Sequence, residues 1–72
     1  MFLGWYDPDK HKPAEAKVAE AVARYREKFG SAPDLCLTSA VDAAALSGNI
    51  DMPVRAVSYI GRHTFYVGIE EA

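Results

Sequence analysis

The segment from Pro13 to Phe29 has the strongest periodicity in the chain, and it predicts an amphipathic helix. Its apolar side chains recur at intervals that place them on one helical stripe: Ala14, Val18, Ala21, Val22, Tyr25 and Phe29. Proline suits the first helical position because its missing N–H has no partner there. Gly30 suits the left-handed residue that commonly follows a helix. These signals predict a helix but indicate no catalytic or binding function.

Shorter elements are predicted on both sides of this helix: a strand at Met1–Tyr6, a strand at Leu35–Thr38 and a second helix at Ala40–Leu46. In the middle strand, alternation places Leu35 and Leu37 on one side, and we expect that side to face the helices. Ser39 and Asp42 have the spacing of a capping box, so the second helix should begin directly after Ser39.

The last third of the chain alternates between apolar and polar residues twice, on either side of Gly61 and Arg62. A two-residue loop that begins with glycine is typical of a type II′ hairpin. Such a hairpin would pair Ile60 with His63, Ser58 with Phe65, Ala56 with Val67, and Val54 with Ile69. Because this register brings both apolar sets to one face, the turn chemistry and the hydrophobic pattern agree on a C-terminal β-hairpin.

Together these elements predict an α+β fold with the order β-α-β-α-β-β in one small domain, residues 1–72. We expect a three- or four-stranded mixed sheet with two helices on one face. Half of the residues are apolar and 25% are charged, which is the balance of a globular chain. A domain of 72 residues has a thin stability margin, so surface buried against a partner would add substantially to it.

Charge and cysteine content narrow the classes of function. A net charge of −2 argues against general binding to phosphate backbones. Cys36 is the single cysteine, so no intrachain disulfide forms, and we expect a cytoplasmic protein. The apolar start ends at Asp7, too early for a signal peptide or a membrane span. No glycine-rich phosphate loop follows a strand, and we expect no cofactor.

The predicted hairpin also determines which side chains lie on the sheet face away from the helices. That set is Arg55, Val57, Tyr59, Thr64 and Tyr66, joined by Cys36 and Thr38 from the middle strand. Two helices cover one face only, so the other face should be an open platform rich in aromatic residues and arginine, a composition enriched where proteins dock. We therefore expect a non-enzymatic interaction module that binds a protein partner or a second copy through its open face or an edge strand. The alternative to a binding surface is an ordinary half-solvated sheet face, where tyrosine and threonine are common.

Binding of single-stranded nucleic acid is the second hypothesis for the same face. Tyr59 and Tyr66 would stack on bases. The cations available around them are Lys10, His11, Lys12, Arg55, Arg62 and His63. Glu70 and Glu71 flank the last strand and would repel phosphate, which makes this hypothesis weaker than protein binding.

A small enzyme is the third hypothesis, with Cys36 or His63 as nucleophile or base. The predicted register opposes it, because Cys36 and His63 would point to opposite sides of the sheet. Asp7, Asp9 and His11 alternate and could contact a divalent metal, but a zinc site needs three or four ligands. We therefore expect these three residues to form a solvated turn, with no metal site and no catalytic residue.

Overall fold

A computed structural model describes residues 1–70, in which two helices cover one face of a four-stranded mixed sheet. The elements are β1 (Phe2–Tyr6), α1 (Ala14–Phe29), β2 (Leu35–Thr38), α2 (Ala40–Leu46), β3 (Val54–Ala56) and β4 (Thr64–Gly68). This order confirms the β-α-β-α-β-β arrangement and the two-layer α+β fold predicted from the sequence.

The last strand in the chain lies inside the sheet. The strand order is β1-β4-β2-β3, with β4 antiparallel to both β1 and β2 and with β3 parallel to β2. Strands β1 and β2 therefore run in the same direction with β4 inserted between them. Strands β1 and β3 are the outer strands, and each has one edge that pairs with no other strand of residues 1–70.

The predicted C-terminal hairpin is wrong, because β2 separates β3 from β4. None of the four predicted pairs forms: Phe65 lies opposite Trp5 and Thr38, and Val67 lies opposite Leu3 and Cys36. The chain turns before Gly61, at residues 57–60. In this turn the Ile60 N–H donates to the Val57 carbonyl oxygen at 3.2 Å. A seven-residue connection, 57–63, then carries it to β4.

The core lies between the sheet and both helices. It contains Val18, Ala21 and Tyr25 from α1, Leu46 from α2, and Cys36, Phe65 and Val67 from the sheet. The apolar stripe predicted for α1 is confirmed. The predicted orientation of β2 is inverted: Cys36 and Thr38 are both 0% exposed and face the helices with Phe65 and Val67, so Leu35 and Leu37 face the other way.

The signals predicted at the ends of the helices are mostly confirmed. Gly30 has φ 76° and its N–H donates to the Arg26 carbonyl oxygen at 2.8 Å, so it ends α1 as expected. The Asp42 N–H donates to the Ser39 hydroxyl oxygen at 3.2 Å, which caps α2. Pro13 lies one position before the first helical residue, and its carbonyl oxygen accepts the N–H of Ala16.

The Asp42 carboxylate joins α2 to the start of β4. Its Oδ2 atom accepts hydrogen bonds from the Ser39 hydroxyl and from the His63 backbone N–H, both at 2.8 Å. Only 6% of Asp42 is exposed, so these bonds replace water as its partners. His63 has φ 64°, a left-handed conformation that is uncommon for a residue other than glycine. The Asp42 bond therefore holds a bend at the position where β4 begins.

We expect Asp42→Ala to lower the free energy of unfolding by about 1–3 kcal/mol, because the buried Ser39 hydroxyl and the His63 N–H would lose their acceptor. Urea unfolding followed by circular dichroism measures this change. Asp51→Ala is the matched control, since Asp51 is exposed. Equal effects of the two substitutions would contradict the role assigned to Asp42.

Candidate functional site

No helix or strand within residues 1–70 packs on the sheet face away from α1 and α2, the 57–63 connection lies against part of it, and its side chains form rows across the strands. One row crosses all four strands through Gly4, Tyr66, Leu37 and Arg55, which are direct cross-strand partners. A second row contains Phe2, Gly68 and Leu35, and a third pairs Tyr6 with Thr64. We call this surface the open face.

Two glycines on the open face lie beneath aromatic rings. A Cβ atom added at Gly4 would come within 2.9 Å of the Tyr66 ring, its direct partner. A Cβ atom added at Gly68 would meet the Phe2 ring at 2.7 Å and would also collide with the Met1 carbonyl oxygen. Each ring therefore rests across a strand position without a side chain. This arrangement lays the aromatic rings along the sheet.

A shallow groove of about 290 Å³ lies on the open face. Its floor and sides come from Phe2, Leu37, Thr64 and Tyr66 of the sheet and from Tyr59 and Ile60 of the 57–63 connection. Tyr59 is 87% exposed at the rim, whereas Ile60 is only 8% exposed. The groove thus combines an exposed aromatic residue at its rim with an apolar floor, which suits contact with another apolar surface.

The structure brings three of the five predicted site residues together. Tyr59, Thr64 and Tyr66 all line the groove. Their neighbours differ from those in the predicted hairpin, however, because Tyr66 lies opposite Gly4 and Leu37, and Thr64 lies opposite Tyr6. The alternation along β4 places Tyr66 on the open face whichever strand lies beside it.

The other two predicted residues lie apart from the groove. Arg55 is on the open face at the β3 edge, where its Nη2 atom is 3.0 Å from Glu70 Oε1. Val57 is half-buried after β3, and its N–H donates to the Thr38 carbonyl oxygen at 2.8 Å. Val57 therefore extends the β2–β3 ladder and lines no part of the groove.

Sequence reasoning missed the contribution of β1 to this surface and assigned the wrong residues of β2 to it. Phe2 and Tyr6 are 37% and 66% exposed on the open face, and Leu37 lies between Tyr66 and Arg55. The available signal was the alternation in β1, which separates Phe2, Gly4 and Tyr6 from Leu3 and Trp5. No comparable signal existed in β2, because Cys36 and Thr38 are as compatible with burial as the two leucines are.

A buried polar network beneath α1 was also missed. Lys17 is only 3% exposed, and its Nζ atom lies 3.1 Å from His63 Nδ1. An ammonium group has only donors, so Nδ1 must be the unprotonated ring nitrogen that accepts this bond. The His63 backbone also bonds to Asp42 and to the Asp7 N–H. Because Lys17 is enclosed, a substrate could not reach it. The network instead links α1 and α2 to the start of β4.

Cys36 and His63 do not form a catalytic pair. Cys36 lies opposite Val67, four positions after His63, which corresponds to roughly 13 Å along the strand. Burial raises the pKa of the Cys36 thiol to about 11, which suppresses the nucleophilic thiolate. The hydrogen-bonding partners of His63 are Lys17 and Asp42 instead.

The Asp7–His11 turn uses its carboxylates for hydrogen bonds within the chain. Asp7 Oδ1 accepts the Asp9 N–H at 3.0 Å, and Asp9 Oδ1 accepts the His11 N–H at 2.9 Å. The bond from the Asp9 N–H lowers the pKa of Asp7, with help from Lys12. Bonds to Glu20 and then to Asp7 raise the pKa of Lys12 to about 12. Within residues 1–70, no three acidic, histidine or cysteine side chains cluster as metal ligands.

None of the cations named for nucleic-acid binding is among the described residues that line the groove. Lys12 is paired with Asp7 and Glu20, and Arg55 is paired with Glu70, while Glu71 lies outside the described residues. Neither helix within residues 1–70 has the length and apolar character needed to cross a bilayer. Comparison of the chain with family models, curated proteins and solved structures found no significant match.

We expect Gly4→Ala to lower the free energy of unfolding by about 1–3 kcal/mol, because the new Cβ atom would push the Tyr66 ring off the sheet. Urea unfolding measures this effect. Gly61→Ala is the matched control, since a Cβ atom at Gly61 meets nothing within 4 Å. A Gly4→Ala protein as stable as the Gly61→Ala protein would contradict the close ring contact.

We expect the Cys36 thiol to react with a disulfide reagent only after the protein unfolds. A pKa of about 11 leaves roughly one thiol in a thousand ionised at pH 8, and the side chain is enclosed. Absorbance assays with and without urea measure the two rates. Rapid labelling of the folded protein would reopen the hypothesis that Cys36 is a nucleophile.

Proposed function

We propose that this protein is a non-enzymatic interaction module that docks a protein partner on the open face of its sheet. The observation that carries the proposal is the aromatic groove on the sheet face opposite the two helices. On the surface of a small domain, exposed apolar side chains grouped in a groove are typical of a binding site.

The composition and rigidity of the groove support protein binding. Tyrosine and phenylalanine contribute large contact areas and lose little side-chain entropy when they bind. Tyr66 and Phe2 are already held against Gly4 and Gly68, so a partner would meet a preformed surface. Tyr59 at the rim is 87% exposed and offers its ring to an inserted apolar side chain.

Charge distinguishes this proposal from binding of single-stranded nucleic acid. An aromatic platform alone is compatible with base stacking, but affinity for a phosphate backbone comes from unpaired cations. Arg55, on the same face as Tyr66, is paired with Glu70. A protein surface with an apolar centre therefore fits the open face better than a nucleic-acid strand does.

Site-specific photo-crosslinking in cells that naturally contain the protein tests the proposal. A photoreactive phenylalanine at Tyr59 should give a discrete adduct heavier than two copies of the chain. The matched control is the same residue at Val41, which is 55% exposed on α2. No adduct, or the same adducts from both positions, would contradict docking at the open face.

Fluorescence anisotropy with labelled single-stranded oligonucleotides tests the alternative. At low salt we expect no binding by the wild-type protein. Binding that weakens with salt and is lost in Tyr59→Ala would favour the nucleic-acid function over the proposed one.

A further inference from the structure

Within residues 1–70 no strand lies beside the outer edge of β1, and the backbone groups along that edge can be identified. The Asp7 N–H donates to the His63 carbonyl oxygen, and the Ile69 N–H donates to the Met1 carbonyl oxygen. In an antiparallel ladder, bonded and non-bonded positions alternate. Leu3 and Trp5 therefore bond to β4, whereas Phe2, Gly4 and Tyr6 direct their N–H and C=O groups away from the sheet.

The two edges of the sheet differ in how well they are protected. Strand β3 has three residues, follows Pro53 and has exposed Arg55 at its centre, features that discourage further pairing. Strand β1 has five residues, FLGWY, with neither charge nor proline. An uncharged apolar edge of this length is a template for another strand.

We infer that β1 pairs with β1 of a second copy of this chain, antiparallel and about a twofold axis at Gly4. In this register the outward-directed residues of the two copies lie opposite one another: Gly4 lies opposite Gly4 of the second copy, and Phe2 lies opposite Tyr6 of the second copy. The two sheets then form one eight-stranded sheet with a protected β3 strand at each end.

Side chains on both faces of the junction suit this pairing. On the open face, the aromatic pair of Phe2 and Tyr6 forms twice, and neither side chain carries a charge. On the helix-covered face, Leu3 of one copy meets Trp5 of the other, and both are only half-buried in the single chain. Pairing would complete their burial and extend the core across the junction.

This inference goes beyond the proposed function because it uses the strand edge and leaves the open face uncovered. The two open faces would lie side by side on one surface, so a partner would meet twice the aromatic area. Failure of either proposal leaves the other standing.

Sedimentation velocity from about 1 µM to about 1 mM tests the inference. We expect the wild-type chain to form a dimer that dissociates on dilution. Tyr6→Pro removes an outward N–H while leaving the bonds to β4 intact, and it should raise the dissociation constant about tenfold or more, since each copy loses one hydrogen bond. Tyr6→Lys, which puts a cation opposite Phe2, should act in the same direction.

Ala56→Pro is the matched control. The Cys36 N–H bonds to the Pro53 carbonyl oxygen, and the Val57 N–H bonds to the Thr38 carbonyl oxygen, so the Ala56 N–H points away from β2. Proline there alters the other edge and should leave the dimer unchanged, and circular dichroism checks that each variant is folded.

Three results would overturn the inference. These are a monomeric wild-type chain at about 1 mM, equal effects of Tyr6→Pro and Ala56→Pro, or a dimer that Tyr59→Ala weakens and the folded Tyr6 variants do not. The last result would show that two copies stack through their open faces instead.

Discussion

The bond between the Asp42 carboxylate and the His63 N–H fixes the point at which the central strand of this sheet begins. It holds the chain in a left-handed bend immediately before β4, at a point beneath both helices. From there β4 enters the space between β1 and β2 and bonds to both. The side chain of His63 accepts a bond from buried Lys17, so α1 and α2 are joined to the same bend. One residue thus connects both helices to the central strand.

The central position of β4 explains why the two faces of the sheet differ. Its inward side chains, Phe65 and Val67, are fully buried against the helices, and its outward Tyr66 rests on Gly4. Packing on the helix side uses the inward faces of α1 and α2, and within residues 1–70 no further helix is left to cover the other face of the sheet. The open face is a consequence of a two-layer fold built from only two helices. The aromatic rings that rest on Gly4 and Gly68 lie along the sheet and form part of this exposed face.

Several features were predictable because their causes are local. The stripe on α1, the left-handed Gly30 and the Ser39–Asp42 cap each depend on residues within one or two helical turns, and all are observed. The placement of Tyr66 and Thr64 on the open face was also predictable, since alternation within one strand does not depend on its neighbours. Buried Lys17 was not, because its partner His63 is 46 residues away in the chain.

Strand pairing was decided by contacts between distant parts of the chain. Gly61 and Arg62 have the chemistry of a tight hairpin, and the alternation on both sides agreed with one. That local preference is worth little against the pairing of β4 with two strands, the burial of Phe65 and Val67 against the helices, and the bond from His63 to Asp42. The predicted orientation of β2 likewise failed because both of its neighbours align Cys36 with core-facing residues, Val67 of β4 and Val54 of β3. Periodicity and capping therefore determined which segments became helices and strands, whereas long-range pairing determined their neighbours and the residues that share the open face.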